Sequence, residues 1–153
     1  MHGFSTTRRV PHPPEKMFDL VADVERYPEF VPFCERLTVR KRKSENGREV
    51  IVADMTIGYK LIRETFTSRV VFDRGALKIE GHDLAGPFRR MENHWTFHAL
   101  PGGGSEVRFQ IAYEFRSRTL AMLMGAVFDR AFRMFVHAFE TRADRVYERK
   151  AEI

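Results

Sequence analysis

The chain has a single cysteine in 153 residues. No internal disulfide can form, and no cysteine-based zinc site can be built. Long apolar runs are also missing. The longest, LAMLMGAVF at 120–128, falls short of the about 20 residues that a spanning helix needs. The opening stretch, MHGFSTTRRVPHPPEK, has no apolar segment of the signal-peptide kind. These absences predict a cytoplasmic protein that is neither exported by the standard route nor transmembrane.

Signatures of catalysis are missing as well. There is no GxSxG elbow. The glycines at 102–104 sit in a hairpin turn rather than between a strand and a helix, so they do not form a phosphate loop. His94 and His98 lie about 13 Å apart along one strand, too far to share an ion. His137 and Glu140 share a helical face but lack a third ligand. His2, His12 and His82 have no partners at ligand spacing. Cys34 closes an aromatic run with no activating base beside it and reads as a small buried thiol. No catalytic residue, metal site or cofactor is expected.

What is present is apolar and aromatic. The chain is 43% hydrophobic and 31% charged, which suits one soluble domain over residues 1–153. Fourteen phenylalanines imply either a dense core or a greasy cavity. The net charge of +5 favours anionic partners such as RNA, the ribosome or acidic lipid, or serves solubility alone. The basic run Arg40, Lys41, Arg42, Lys43 has no interleaved aromatic, so base stacking is not expected there, nor a DNA partner. Phosphate contact stays open for that run and for Arg116, Arg118, Arg130, Arg133, Arg142, Arg145, Arg149 and Lys150.

Hydrophobic periodicity orders the elements. Residues 3–10 read as a strand and 13–24 as a short helix burying Met17, Phe18, Leu20 and Val21. RYPEFVPFC (26–34) reads as a proline-bounded helical segment with Tyr27, Phe30 and Phe33 on one side. Strands follow at 36–43, 48–60, 62–73, 76–82, 88–99 and 105–116. Asn46-Gly47 marks the first hairpin. In 105–116, Val107, Phe109, Ile111, Tyr113 and Phe115 alternate with polar neighbours, the pattern of a sheet with one dry face. Residues 118–149 read as one helix about 48 Å long. An α+β domain results, with a curved antiparallel sheet gripping a C-terminal helix. Glu64 breaks the pattern, because it shares parity with Ile62, Phe66, Val70 and Phe72. A bulge that exposes it costs less than burying a charge. The other reading is a polar pocket anchor paired with Arg8.

Four stretches carry a family resemblance: DVERYPEFVPFC (23–34), ETFTSRVVF (64–72), AGPFRRMENHWTF (85–97) and VFDRAFRMFVHAFETRADRVY (127–147). In that order they resemble the coenzyme-Q-binding, START-like family of the polyketide cyclase/dehydrase and lipid transport superfamily. That family includes the bacterial ribosome-association toxin. The resemblance implies a helix-grip fold of the START/Bet v 1-like kind, with a hydrophobic tunnel between helix and sheet. One departure is Pro13, where the family usually has Ser or Thr to cap the first helix.

The expected tunnel residues are Tyr27, Phe30, Val31 and Phe33 at the mouth, then Met55, Ile57, Tyr59, Phe66 and Val70. Phe88, Met91, Trp95, Phe97, Phe109, Ile111 and Tyr113 follow on later strands. The helix adds Leu123, Met124, Val127, Phe128, Ala131 and Phe135. The resemblance implies a non-enzymatic carrier of a polyprenyl quinone, with ubiquinone as bound ligand, that touches an anionic membrane at its inner face. The alternative is a toxin that binds the large (50S) ribosomal subunit and blocks subunit joining. A cyclase-like enzyme is a third reading. It would rest on Glu64, Tyr59 or Tyr113, the titratable groups of inward parity.

Overall fold

The computed structural model describes residues 2–148. The elements are β1 (His2–Val10), α1 (Pro14–Ala22), a 3₁₀ helix (Val24–Glu29), β2 (Cys34–Glu45), β3 (Arg48–Tyr59) and β4 (Ile62–Asp73). Then come β5 (Lys78–Ala85), β6 (Phe88–Ala99), β7 (Ser105–Phe115) and α2 (Arg118–Ala143), which runs into a π-helical turn at Asp144–Glu148. Arg149 and Lys150, expected at the helix end, lie outside the described residues.

The seven strands form one antiparallel sheet in the order β1-β7-β6-β5-β4-β3-β2. Six of them are a meander, because each short turn returns the chain beside itself. Asn46 and Gly47 both take positive φ, as a tight two-residue hairpin requires. β1 joins the far edge beside β7, and α1 and the 3₁₀ helix carry the chain across to β2. Alternation is clean on β7, where Val107, Phe109, Ile111, Tyr113 and Phe115 are all buried. The sheet therefore has one dry face, and α2 lies on it. Ser117 caps α2, its side chain accepting from the Leu120 N–H at 3.1 Å. Pro13 precedes α1 without any side-chain cap. At the other end of α2, buried His12 hydrogen-bonds the Asp144 carboxylate at 2.8 Å through Nε2.

Three expectations change. The 3₁₀ helix ends at Glu29, Phe30 leaves it at φ −148°, and Phe33 takes φ +64°. The aromatics of RYPEFVPFC therefore do not share one helical side. Tyr27 and Phe30 turn to Phe139, whereas Phe33 packs edge-on against Tyr59. The strand expected to begin at 76 begins at Lys78, because Leu77 takes positive φ in the preceding turn. The bulge expected at Glu64 is absent. The β3–β4 register runs unbroken from Glu49 opposite Phe72 to Tyr59 opposite Ile62. Glu64 is half-buried near the hairpin end, and Arg8 pairs with Glu140 instead. The irregularity beside β4 lies on β5, where Leu84 is the extra residue opposite Thr67 and Ser68.

Gly86 begins the turn before β6 at φ +134°. A Cβ there would stand 2.7 Å from Cβ of Phe66. Both strain and collision oppose any side chain. Gly86→Ala is expected to destabilise the protein by roughly 2–5 kcal/mol, whereas Gly102→Ala, with open space around it, costs about 1. Urea unfolding of both variants measures the difference.

Candidate functional site

α2 makes its closest backbone approaches to β1, β7 and α1, on one side of the sheet. Side chains must span the remaining distance to β3–β6. Two aromatic groups do so. Toward the C-terminal half of α2, Phe135 and Phe139 meet Trp95 at 5.7 and 5.3 Å between ring centroids, and Tyr27 meets Phe139. Toward its N-terminal half, Phe128 meets Phe88 at 5.2 Å and Phe66 at 6.3 Å. Between these groups the floor is made of small side chains: Ala53, Ser68 and Val70, with Gly81 beside them. The helix stands off there and little rises to meet it. A cavity of about 120 Å³ remains.

Many of the expected tunnel residues line this cavity. Tyr27 and Val31 do so at one end, and Met55, Ile57, Phe66 and Val70 along β3 and β4. Phe88, Met91, Trp95, Phe109 and Ile111 line it from β6 and β7, and Phe128, Ala131 and Phe135 from the helix. Others stand elsewhere. Phe30 lines an outer groove with Arg133, Met134 and His137. Phe33 and Tyr59 pack on each other outside the cavity. Phe97 packs on Phe18, and Tyr113 lies behind Phe88 and Phe132. Met124 and Val127 are plain core, and Leu123 points to solvent at 57% exposure. On a helix of this pitch, only residues one turn apart share a face, so the apolar run 120–128 could not all point inward.

The expected tunnel set also left out lining residues. Ile51, Phe72 and Ile79 are aliphatic or aromatic on the inward parity and were legible. Ser68 and Asn93 are inward too, but polar, and gave no apolar signal. Tyr27, Ser68, Asn93 and the indole of Trp95 supply the polar side-chain atoms of the lining. Tyr27 donates its hydroxyl to the Val21 carbonyl, and burial raises its pKa and keeps the phenol protonated. The lining contains no carboxylate, imidazole or thiol. Glu64, Tyr59 and Tyr113 do not reach it.

Two charged regions lie outside. Most of the basic run is neutralised. Arg40 pairs with Asp54, Arg42 with Glu25 and Glu49, and Lys43 with Glu45. The outer groove beside α2 gathers Arg8, Arg133, His137, Arg142 and Arg145. Of these, Arg142 is tied to Glu29 at 2.7 Å and lies over the Phe30 ring. Arg145 has no ion pair among the described residues.

The profile of a family described as polyketide cyclase/dehydrase and lipid transport matches residues 10–140. The ribosome association toxin of Rickettsia prowazekii is 35% identical over 150 residues, covering 95% of this chain and 99% of that protein. The mitochondrial coenzyme Q-binding protein of Schizosaccharomyces pombe is 33% identical over 78% of this chain and 73% of its own. Among solved structures, an 18 kDa protein from Caulobacter crescentus superposes with a TM-score of 0.78 at 32% identity, covering 97% of this chain and 99% of that one. A Streptomyces aromatase/cyclase superposes at 0.79 with 18% identity over 94% of both chains, a likeness of fold alone.

Cys34 is buried at the start of β2, its thiol facing the Arg36 carbonyl at 3.8 Å. Burial pushes its pKa up to about 11, with a backbone hydrogen bond from Arg36 offsetting part of the rise. The thiolate is the nucleophile, so alkylation by iodoacetamide at pH 8 should run roughly a hundredfold slower in the folded protein than in the unfolded chain. The folded-state rate should keep rising with pH through about 11 rather than levelling near 9. Stopped-time mass spectrometry across a pH series checks both.

Proposed function

The chain belongs to the polyketide cyclase/dehydrase and lipid transport family, and we propose that it binds and carries a hydrophobic ligand, a polyprenyl quinone, in the cavity under α2. The observation that carries this is an apolar cavity in the middle of an otherwise close-packed interior. Interiors normally fill such space, because each unfilled methyl-sized gap costs on the order of 1 kcal/mol. A lining without carboxylate or imidazole supports binding rather than acid–base chemistry.

The volume sets a limit. An apolar cavity of about 150 Å³ takes a benzene-sized molecule. At about 120 Å³ this one fits a single ring-sized group, so a long tail must leave through an opening or lift α2. A carrier of this kind works at a membrane, from the cytoplasmic side. No helix among the described residues is long and apolar enough to cross one. The strongly exposed apolar side chains gather at one end of the sheet. Leu61 tops the β3–β4 hairpin at 99% exposure, and Leu84 lies near the β5–β6 turn. Met122 and Leu123 lie in the first turns of α2, which begins where β7 ends opposite Phe88. Lys60, Arg116 and Arg118 at that end have no ion pairs among the described residues. Apolar side chains rimmed by free cations suit an anionic bilayer surface. Tyr27, Phe30 and Phe33, the aromatics expected at the tunnel mouth, are not part of this exposed set; they are buried or half-buried.

A second reading, ribosome association, is favoured by the relatives of that printed name, whose likeness covers nearly the whole chain, and by the cationic groove of Arg8, Arg133, His137 and Arg145. RNA phosphates would meet those cations, and binding would weaken steeply with salt.

Two experiments separate the readings. Trp95 is the single tryptophan and lines the cavity, so an entering quinone should quench its fluorescence. Quenching is expected when protein meets anionic vesicles loaded with a short-tailed ubiquinone. Ala53→Leu should fill the cavity and abolish quenching while keeping or raising stability. Leu61→Asp with Met122→Asp should slow transfer from vesicles but leave uptake of dispersed quinone unchanged. No quenching by the wild-type protein sinks the carrier reading. For the second reading, excess protein should deplete joined ribosomes in a sucrose gradient, and Arg133→Glu with Arg145→Glu should restore them. An unchanged profile rules it out.

A further inference from the structure

One buried polar atom is left without a partner by the fold. Among the described residues, Ser68 Oγ is the buried side-chain oxygen with no hydrogen bond. Ser68 is only 8% exposed, and it lines the cavity. An unpaired buried hydroxyl costs about 1–3 kcal/mol, and alanine or valine would fit the same strand without that cost. Its outward neighbours are satisfied. Thr67 donates to Asp54 at 2.6 Å, and Thr65 bonds Thr56 at 2.7 Å. The orphan is therefore confined to the cavity side.

Asn93, on β6, is nearly as bare. Its Nδ2 reaches only the Met91 sulfur at 3.6 Å, a weak acceptor, and its Oδ1 has no partner among the described residues. The register places Val70, Gly81 and Asn93 side by side across β4, β5 and β6, with Ser68 two residues along β4 on the same face. A Cβ on Gly81 would lie 3.0 Å from Asn93 Nδ2 and 3.1 Å from Oδ1. The amide thus lies against the bare backbone of Gly81, and any side chain at 81 would push it away. The Cα atoms of Ser68 and Asn93 are about 12 Å apart by strand spacing, and both side chains line the same cavity. One ring-sized group can reach both. The bulge opposite Thr67 and Ser68 lies on β5, where Leu84 is the extra residue between Asp83 and Ala85. The local ladder is repaired by Asp83, whose carboxylate accepts from the Met91 N–H at 2.8 Å.

We propose that Ser68 and Asn93 form the polar subsite of the cavity, which receives the carbonyl or hydroxyl oxygens of an otherwise apolar ring ligand. The proposal rests on the reading that the cavity holds a hydrophobic ligand, and it adds which end of that ligand is recognised and by what. Ser68 Oγ–H and Asn93 Nδ2–H each donate to an oxygen of the ring, from opposite sides of it. Asn93 Oδ1 accepts where the ligand carries a hydroxyl instead. A ligand lacking oxygen leaves both groups unpaired, so the subsite discriminates against hydrocarbons.

The test uses a hexyl-substituted benzoquinone and hexylbenzene as matched probes, titrated by calorimetry. The wild-type protein should bind the quinone more tightly. Ser68→Ala and Asn93→Leu should each weaken quinone binding by roughly threefold to tenfold, the range of one neutral hydrogen bond. Hexylbenzene affinity should stay unchanged or rise. Thermal unfolding of Ser68→Ala should show equal or greater stability, since an unsatisfied hydroxyl is removed, and this guards against a folding artefact. Equal effects on both probes, or none on either, overturn the polar subsite while leaving the ligand reading intact. The same holds if Ser68 merely binds an internal water, because quinone affinity would then not depend on it. Failure of the wild-type protein to bind either probe overturns the ligand reading and the subsite with it.

Discussion

One long helix, helped only by the short α1 over β6 and β7, covers the dry face of seven strands. Seven strands at about 4.8 Å spacing make a sheet roughly 29 Å wide, and a helix with its side chains is about 10–12 Å across. No straight helix can cover that width. The sheet must curl, and side chains must fill what curling leaves. This geometric shortfall explains the unusual number of phenylalanines. Phe66, Phe88, Phe109, Phe128 and Phe135 are the reach between a helix seated over β1 and β7 and strands that lie farther off. Edge-on contacts among them, such as Phe88 with Phe128, give specific geometry as well as buried area.

The cavity follows from the same shortfall. Where long aromatics stand, the gap closes. Where Ala53, Ser68 and Gly81 stand, it does not. The hollow is thus bounded by the most rigid side chains in the protein and floored by its smallest. Its polarity is equally uneven. Tyr27 is saturated by the Val21 carbonyl, while Ser68 and Asn93 keep unused hydrogen-bonding capacity on the floor. A greasy ring enters for its area and is held in one orientation by its oxygens.

Charge is arranged with similar economy. The run Arg40–Lys43 looks like a patch in the sequence but is largely paired across neighbouring strands and to Glu25. Exposed ion pairs of this kind contribute little stability and mainly cancel local charge. Cations without ion pairs among the described residues include Lys60, Arg116 and Arg118 near the exposed Leu61 and Met122, and Arg145 in the groove beside α2, where Arg8, Arg133 and Arg142 are paired with carboxylates. Sequence neighbours on a strand point to opposite faces, so a linear charge run says little about a surface field.

Residues 105–115 show what could be read directly. Period-two alternation identified every buried apolar side chain of β7, because a sheet with one dry face imposes that period whatever packs on it. The helix and the hairpin at Asn46-Gly47 followed from equally local rules. The proline-broken run did not, since Phe30 and Phe33 take backbone angles set by where β2 must begin. Leu123 was misjudged for a related reason: an apolar run longer than one helical face must leave some members outside. The cavity was least legible of all. A small residue at 53, 68 or 81 looks the same in sequence whether a neighbour fills its space or not. The amino-acid pattern by itself determined a curved antiparallel sheet, its dry face and its covering helix, because these depend on periodicity along the chain. Only the tertiary structure decided where the interior stays hollow and which hydroxyl is left unpaired there, because both depend on how far α2 stands from strands distant in sequence.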